Sequence, residues 1–126
     1  MVDLMVDTTD RGDRIAEAIG DRRIAVPTIA EYEVTNVIRR LHVARQLDAG
    51  QADRAYGRFR AIPLVLTDFS SLSHRIWELH TNATAMDAAY VALAEALDIE
   101  LITVDGRLAR TEGIRCRVVT FDEHGL

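Results

Sequence analysis

The sequence predicts an α/β protein whose mostly parallel sheet is covered by helices on both faces. Short apolar runs that suit buried strands alternate with segments in which apolar residues recur at helical spacing. The chain has 126 residues and 48% hydrophobic residues, enough for one domain with its own core. We therefore expect a single domain over residues 1–126. The single cysteine, Cys116, excludes an internal disulfide framework and favours a reducing compartment, so we expect a cytoplasmic protein.

Each element is predicted from its periodicity and its end signals. Residues 10–19 form a predicted surface helix that ends at Gly20, and residues 24–27 a short strand. Thr28 is the predicted cap of a long helix that extends to about Leu47. The later elements are a helix over 51–61, a strand over 63–67, a helix capped by Ser70, an alanine-rich helix around Asp87, a strand over 100–104, a helical turn over 107–111 and a strand over 117–121. In the alanine-rich helix the predicted apolar stripe consists of Met86, Tyr90, Leu93 and Leu97.

The basic residues exclude several chemistries. All fifteen are arginine, so a phosphate-loop lysine, a Schiff-base lysine and a Ser–Lys dyad are impossible. The formal net charge of −5 argues against a protein that coats nucleic acid without specificity. No apolar run approaches the length of a membrane span, and the N-terminus lacks the pattern of a secretory signal.

Glu33 is the first candidate functional acid. It shares a helix face with Ala30 and Val37, which predicts that its carboxylate points inward, whereas Glu31 is expected to be more solvated. A buried carboxylate is costly unless it is paired or bound to a metal. Glu33 therefore either binds a metal ion or pairs with an arginine such as Arg40.

Asp87 and Asp105 are the other two candidates. Asp87 interrupts an otherwise uncharged helix start, where it is either a functional acid or the N-cap. Asp105 follows an apolar strand and precedes Gly106, so it is either a site residue or a turn residue. Carboxylates gathered at the ends of elements on a parallel sheet suit a hard divalent cation. The histidines, serines and the cysteine show no pattern typical of a zinc site or a covalent nucleophile.

Three segments resemble a known family. They are residues 31–34 (EYEV) with Arg39-Arg40-Leu41, residues 84–94 (TAMDAAYVALA) and residues 101–108 (LITVDGRL). The sequence resembles the PIN domain ribonucleases, specifically the VapC-type toxins of bacterial toxin–antitoxin pairs, from about residue 1 to Val119. The resemblance implies a three-layer sandwich with strand order 3-2-1-4-5 and RNA cleavage that depends on Mg²⁺ or Mn²⁺. It also implies that Glu33, Asp87 and Asp105 are catalytic metal-site acids and that Thr103 orients the site.

The N-terminus departs from the family pattern. The family opens with a strand that ends in a metal-binding aspartate, followed by a helix. Asp7, after Leu4-Met5-Val6, imitates that aspartate, but no residues remain for the helix before residues 10–19. In the alternative, which we favour, residues 1–6 are that helix. Met1 is then not the biological start, and the first strand and its acid lie upstream.

Two functions follow from these observations. The first is a metal-dependent endoribonuclease acting as the toxin of a toxin–antitoxin pair. The second is a catalytically silent PIN-fold binding module that lacks the first aspartate. A phosphoacceptor receiver domain is disfavoured because it would need a lysine.

The resemblance also implies partners. These are a small antitoxin, a second copy of the chain, and an RNA substrate, for which tRNA and rRNA are the candidate classes. The antitoxin is expected to dock on an apolar surface rimmed by arginine, formed by the helix over 34–41 and the helix over 51–61 with Tyr56 and Phe59. The alternative is that these aromatic residues complete the core.

Overall fold

The computed structural model describes residues 23–103 and 106–120, which divide into two compact units. The first is a helical hairpin over residues 29–64, and the second is an α/β unit of residues 25–28 and the described residues from Val65 onwards. The elements are β1 (Ile24–Pro27), α1 (Ile29–Val43), α2 (Ala49–Ala61), β2 (Leu64–Thr67), α3 (Phe69–Glu78), α4 (Ala85–Leu97), β3 (Leu101–Thr103), α5 (Gly106–Ala109) and β4 (Val118–Thr120). The predicted helix over 10–19 lies outside the described residues. No helix of the described ranges is long and apolar enough to cross a membrane.

The hairpin is held by a small apolar core and a capping box. Its buried side chains recur at helical spacing: Ala30, Val34 and Ile38 on α1, and Ala52, Ala55 and Phe59 on α2. The expectation that α1 reaches Leu47 is wrong, because α1 ends at Val43 and Arg45 adopts a left-handed conformation with φ of 62°. Asp48 then caps α2: the Gln51 amide donates to Asp48 Oδ1 at 2.8 Å, and the Asp48 amide donates to Gln51 Oε1 at 2.9 Å. This reciprocal pair starts α2 at Ala49, two residues earlier than predicted.

The strands of the described residues form two hydrogen-bonded pairs, β1 with β2 and β3 with β4. β3 and β4 are parallel, with Leu101 opposite Val118 and Thr103 opposite Thr120. In the expected order 3-2-1-4-5, strands 2 and 3 lie on one side of strand 1, and strands 4 and 5 lie on the other. The pair β1–β2 corresponds to strands 2 and 3, and the pair β3–β4 to strands 4 and 5. Residues 4–7, which were considered for strand 1 and its acid, lie outside the described ranges.

The core of the α/β unit is built on an alanine face of α4. Ala88, Val91, Ala92 and Leu93 are buried in one cluster with Leu72, Ile76 and Leu79 of the α3 segment and Leu101 of β3. The predicted stripe is therefore wrong in part: Leu93 is buried, but Met86 is 51% exposed and Leu97 is 46% exposed. Small side chains allow neighbouring elements to approach α4 closely, so the alanines face the core and the larger residues at both ends remain outside.

The cap of α3 differs from the predicted one, and the cap of α4 excludes one of the two roles left open for Asp87. Asp68, and not Ser70, caps α3: its Oδ1 accepts from the Ser71 amide at 3.1 Å and from the Ser71 hydroxyl at 2.9 Å. The Ser71 hydroxyl and then its amide hold the pKa of Asp68 below its usual value. At α4 the N-cap is Thr84, whose hydroxyl oxygen accepts from the Asp87 amide at 3.2 Å.

A bidentate ion pair joins α3, α4 and the segment before β4. Arg75 Nε donates to Glu95 Oε1 at 2.6 Å, and Arg75 Nη2 donates to Glu95 Oε2 at 3.1 Å. Arg75 Nη2 also donates to the Gly113 carbonyl at 2.6 Å, while the Arg115 amide donates to Glu95 Oε2 at 2.7 Å. The side chains of Arg75 and Glu95 are only 17% and 13% exposed. We call this arrangement the Arg75–Glu95 clamp.

The clamp changes the pKa of both partners. Burial alone raises the pKa of Glu95, but the hydrogen bonds from Arg75 and the Arg115 amide, together with the positive charges of both arginines, outweigh burial and leave it below its usual value. The hydrogen bond to Glu95 raises the pKa of Arg75. A carboxylate with a lowered folded-state pKa stabilises the fold above its unfolded-state pKa, near 4.3. That contribution is lost as the pH falls through the folded-state value.

Replacing Glu95 tests the clamp. Glu95→Gln is expected to lower the free energy of unfolding by about 2 kcal/mol at pH 7, because it removes a charged, partly buried hydrogen-bond acceptor. The difference from the wild-type chain should shrink as the pH falls below about 4, where Glu95 becomes protonated. Urea denaturation at several pH values measures both effects.

The matched control is Glu78→Gln. Glu78 lies 3.6 Å from Arg75 Nη1, but its side chain is 45% exposed. Its replacement should change stability by less than about 1 kcal/mol. An equal effect of both substitutions, or a Glu95→Gln effect that persists unchanged at pH 3, would contradict the account.

Candidate active site

Asp87 lies in the first turn of α4, with an exposed side chain. Its predicted alternative role as the N-cap is wrong, because Thr84 is the cap and Asp87 is the residue whose amide is capped. The positive end of the helix dipole favours a carboxylate at this position. Within the described residues the Asp87 carboxylate forms no ion pair or hydrogen bond. The side chain of Asp87 therefore has unused acceptor oxygens in the described part of the chain and is held at a capped helix end.

Thr103 is the last residue of β3, where it is half-buried opposite Thr120 of β4. Asp98, in a left-handed conformation, ends α4, and only residues 98–100 separate that helix from β3. Because α4 also contacts β3, the helix and the strand run in opposite directions. The first turn of α4, with Asp87, thus lies toward the same end of the α/β unit as Thr103. The predicted catalytic acids Asp87 and Asp105 were expected at this end of the unit.

Asp105, the acid that was predicted to complete this end of the unit, lies outside the described residues, as does Asp7. Among the described residues no group of three or more histidine, cysteine, aspartate or glutamate side chains could hold a metal ion. The three-acid site of Glu33, Asp87 and Asp105 therefore stays a prediction.

Glu33 belongs to the hairpin, where it is half-buried and has a polar partner. It lines a groove of about 660 Å³ formed by Glu31, Tyr32, Glu33, Thr35, Asn36, Arg39, Tyr56, Phe59 and Arg60. Glu31, which was expected to be more solvated than Glu33, is also half-buried and lines the same groove. Its carboxylate lies 3.8 Å from the guanidinium of Arg60, and its side chain is 34% exposed.

The hairpin surface is less apolar than predicted. Phe59 is 3% exposed and completes the core, as the alternative interpretation proposed, and Val34 is 1% exposed. Tyr56 is 42% exposed and Tyr32 is 75% exposed. Sequence reasoning missed Tyr32 because a single exposed tyrosine between two glutamates gives no periodic signal.

Comparisons of the sequence with known proteins identify the family of the chain. A model of the PIN domain family matches residues 1–114. A VapC ribonuclease of Mycobacterium bovis is 36% identical over 102 residues, which cover 81% of this chain and 80% of the relative. Ribonuclease VapC12 of Mycobacterium tuberculosis is 32% identical over 112 residues, covering 89% of this chain and 86% of the relative. Ribonuclease VapC3 of the same organism is 32% identical over 110 residues. With its strand pairs, its acids and these relatives, the chain belongs to the PIN domain family, and it is a VapC-type member.

Proposed function

We propose that this protein is a divalent-metal-dependent endoribonuclease and the toxin of a toxin–antitoxin pair. The observation that carries the proposal is Asp87, an exposed carboxylate without an ion-pair partner in the described part of the chain. It lies toward the end of the α/β unit at which Thr103 terminates β3. The similarity to curated VapC ribonucleases supports the same activity.

The donor chemistry of the proposed site fits Mg²⁺ or Mn²⁺. Glu33, Asp87 and Asp105 supply only carboxylate oxygens, which are the ligands that hard divalent cations prefer. The unused oxygens of Asp87 are available for direct or water-mediated coordination. When bound, the ion supplies an activated water for in-line attack on the phosphodiester and neutralises charge on the leaving oxygen.

The residues of the chain have positioning and electrostatic roles in this proposal. Asp87 is fixed by the Thr84 cap, whose hydrogen bond to the Asp87 amide sets the first turn of α4. Thr103, held at the end of a paired strand, orients the neighbouring acids through its hydroxyl. No protein nucleophile is required, which agrees with the absence of lysine from the sequence.

The proposal also covers the partners and the location of the protein. We propose a cytoplasmic homodimer that cleaves tRNA or rRNA and is bound by a small antitoxin. Co-expression with the protein encoded by the neighbouring small reading frame tests the antitoxin. A single co-eluting complex is expected on size exclusion, and two separate species would contradict the partnership.

Asp87→Asn tests the activity. The purified protein should cleave structured RNA in Mg²⁺, chelator should abolish cleavage, and Asp87→Asn should lower the rate at least about a hundredfold, because an amide binds the cation more weakly than a carboxylate. Gel assays with end-labelled RNA measure all three rates.

The control is Asp98→Asn, the same change at the opposite end of α4. Asparagine is tolerated in the left-handed conformation that Asp98 adopts, so this variant should cleave at the wild-type rate. Equal cleavage with and without chelator would refute the metal mechanism. Failure of the wild-type chain to cleave any RNA would favour the catalytically silent module.

A further inference from the structure

The hairpin carries charge of the opposite sign to the rest of the chain. Residues 29–64 contain six arginines against four acidic residues, whereas the whole chain has a formal net charge of −5. Arg39, Arg40, Arg45, Arg54, Arg58 and Arg60 are all exposed. Among the described residues only Arg60 of this set forms an ion pair, with Glu31. Within the described ranges, five guanidinium groups of the hairpin thus have no acidic partner.

The groove of the hairpin combines these charges with exposed aromatic rings. Tyr32 and Tyr56 line it beside Arg39, which has no acidic partner in the described residues. Its volume of about 660 Å³ lies in the range of sites that hold small ligands or a part of a larger one. Exposed aromatic rings next to arginine are typical of surfaces on which single-stranded bases stack while phosphates contact guanidinium groups.

The acidic side chains of the groove do not oppose this interpretation. The carboxylate of Glu31 lies beside Arg60, which offsets its charge. Glu33 is one of the proposed metal-site acids, and a bound divalent cation would reverse the local charge that a phosphate meets.

We propose that the α1–α2 groove is an RNA-binding subsite, in which Tyr32 and Tyr56 stack on unpaired bases of the substrate and Arg39 contacts the backbone phosphate. This inference builds on the proposed function, since it concerns the substrate of the same enzyme. The sequence analysis predicted a protein partner on this face. Of the two aromatic residues named in that prediction, Phe59 is buried and Tyr56 is exposed. The groove sets two tyrosines beside two arginines and two glutamates.

Binding of a fluorescein-labelled single-stranded RNA of about 20 nucleotides tests the subsite. Fluorescence anisotropy is measured in chelator, so that no cleavage occurs, over a range of salt concentrations. Arg39→Gln should weaken binding about three- to tenfold and lower the slope of log K against log salt by about 0.7, the value for one lost phosphate contact on a single strand. Tyr56→Leu should weaken binding at least about fivefold without a change in that slope.

Two arginine variants are matched controls. Arg54 lies on the same hairpin but outside the groove, and Arg110 is an exposed arginine of the α/β unit. Arg54→Gln should have a smaller effect than Arg39→Gln, and Arg110→Gln should bind as the wild type does. Circular dichroism verifies that each variant is folded.

Three results would overturn the proposal. The first is that Arg39→Gln and Arg110→Gln bind RNA equally, and the second is that the wild-type chain does not bind the RNA at all. The third is that Arg39→Gln and Tyr56→Leu retain RNA binding but lose a co-expressed antitoxin, which would make the groove a protein-docking site. The cleavage assay separates this proposal from the proposed function. If the wild-type chain cleaves RNA and the groove variants bind RNA as the wild type does, the subsite is refuted and the nuclease is not. If the groove variants lose RNA binding but the wild-type chain never cleaves RNA, the nuclease is refuted and the subsite is not.

Discussion

The α/β unit depends on one partly buried ion pair between residues twenty positions apart, Arg75 on α3 and Glu95 on α4. Its bonds to the Gly113 carbonyl and the Arg115 amide fix the segment that leads into β4. Gly113 adopts a φ of +86°, which favours glycine at the turn the clamp holds. β4 pairs with β3, and in this register Thr103 lies opposite Thr120. The clamp thus holds the segment that leads into the strand paired with Thr103.

The two units contribute different properties to the proposed enzyme. The α/β unit supplies a helix end with Asp87, capped by the Thr84 hydroxyl, and a strand end with Thr103, held by pairing with β4. The hairpin supplies Glu33 together with exposed guanidinium groups in a chain whose net charge is negative. A protein of this kind attracts phosphate locally rather than over its whole surface. Its affinity for RNA should therefore depend on few contacts and fall only moderately with salt.

The sequence predicted the α/β fold class and the order of the described helices and strands, because alternating apolar runs are local signals. It also predicted that Asp87 lies near the start of a helix, because the TAMDAAYVALA motif is local too. It misplaced the end of α1, the start of α2 and the cap of α3, and it did not identify Thr84 as the cap of α4. The caps depend on individual side-chain hydrogen bonds. It also misjudged the buried face of α4, since alanine contributes little to a hydrophobic pattern although it packs most closely. The Arg75–Glu95 clamp left no signal, because its partners meet only in the folded chain.

The central claim of the proposed function is that the exposed carboxylate of Asp87 binds a divalent cation. Calorimetric titration of the intact chain with Mn²⁺ tests it most directly, with Asp98→Asn as the matched control at the other end of α4. The account predicts micromolar binding that Asp87→Asn weakens about tenfold or more and that Asp98→Asn leaves nearly unchanged. Binding that survives Asp87→Asn, or that Asp98→Asn weakens as strongly, would contradict the assignment.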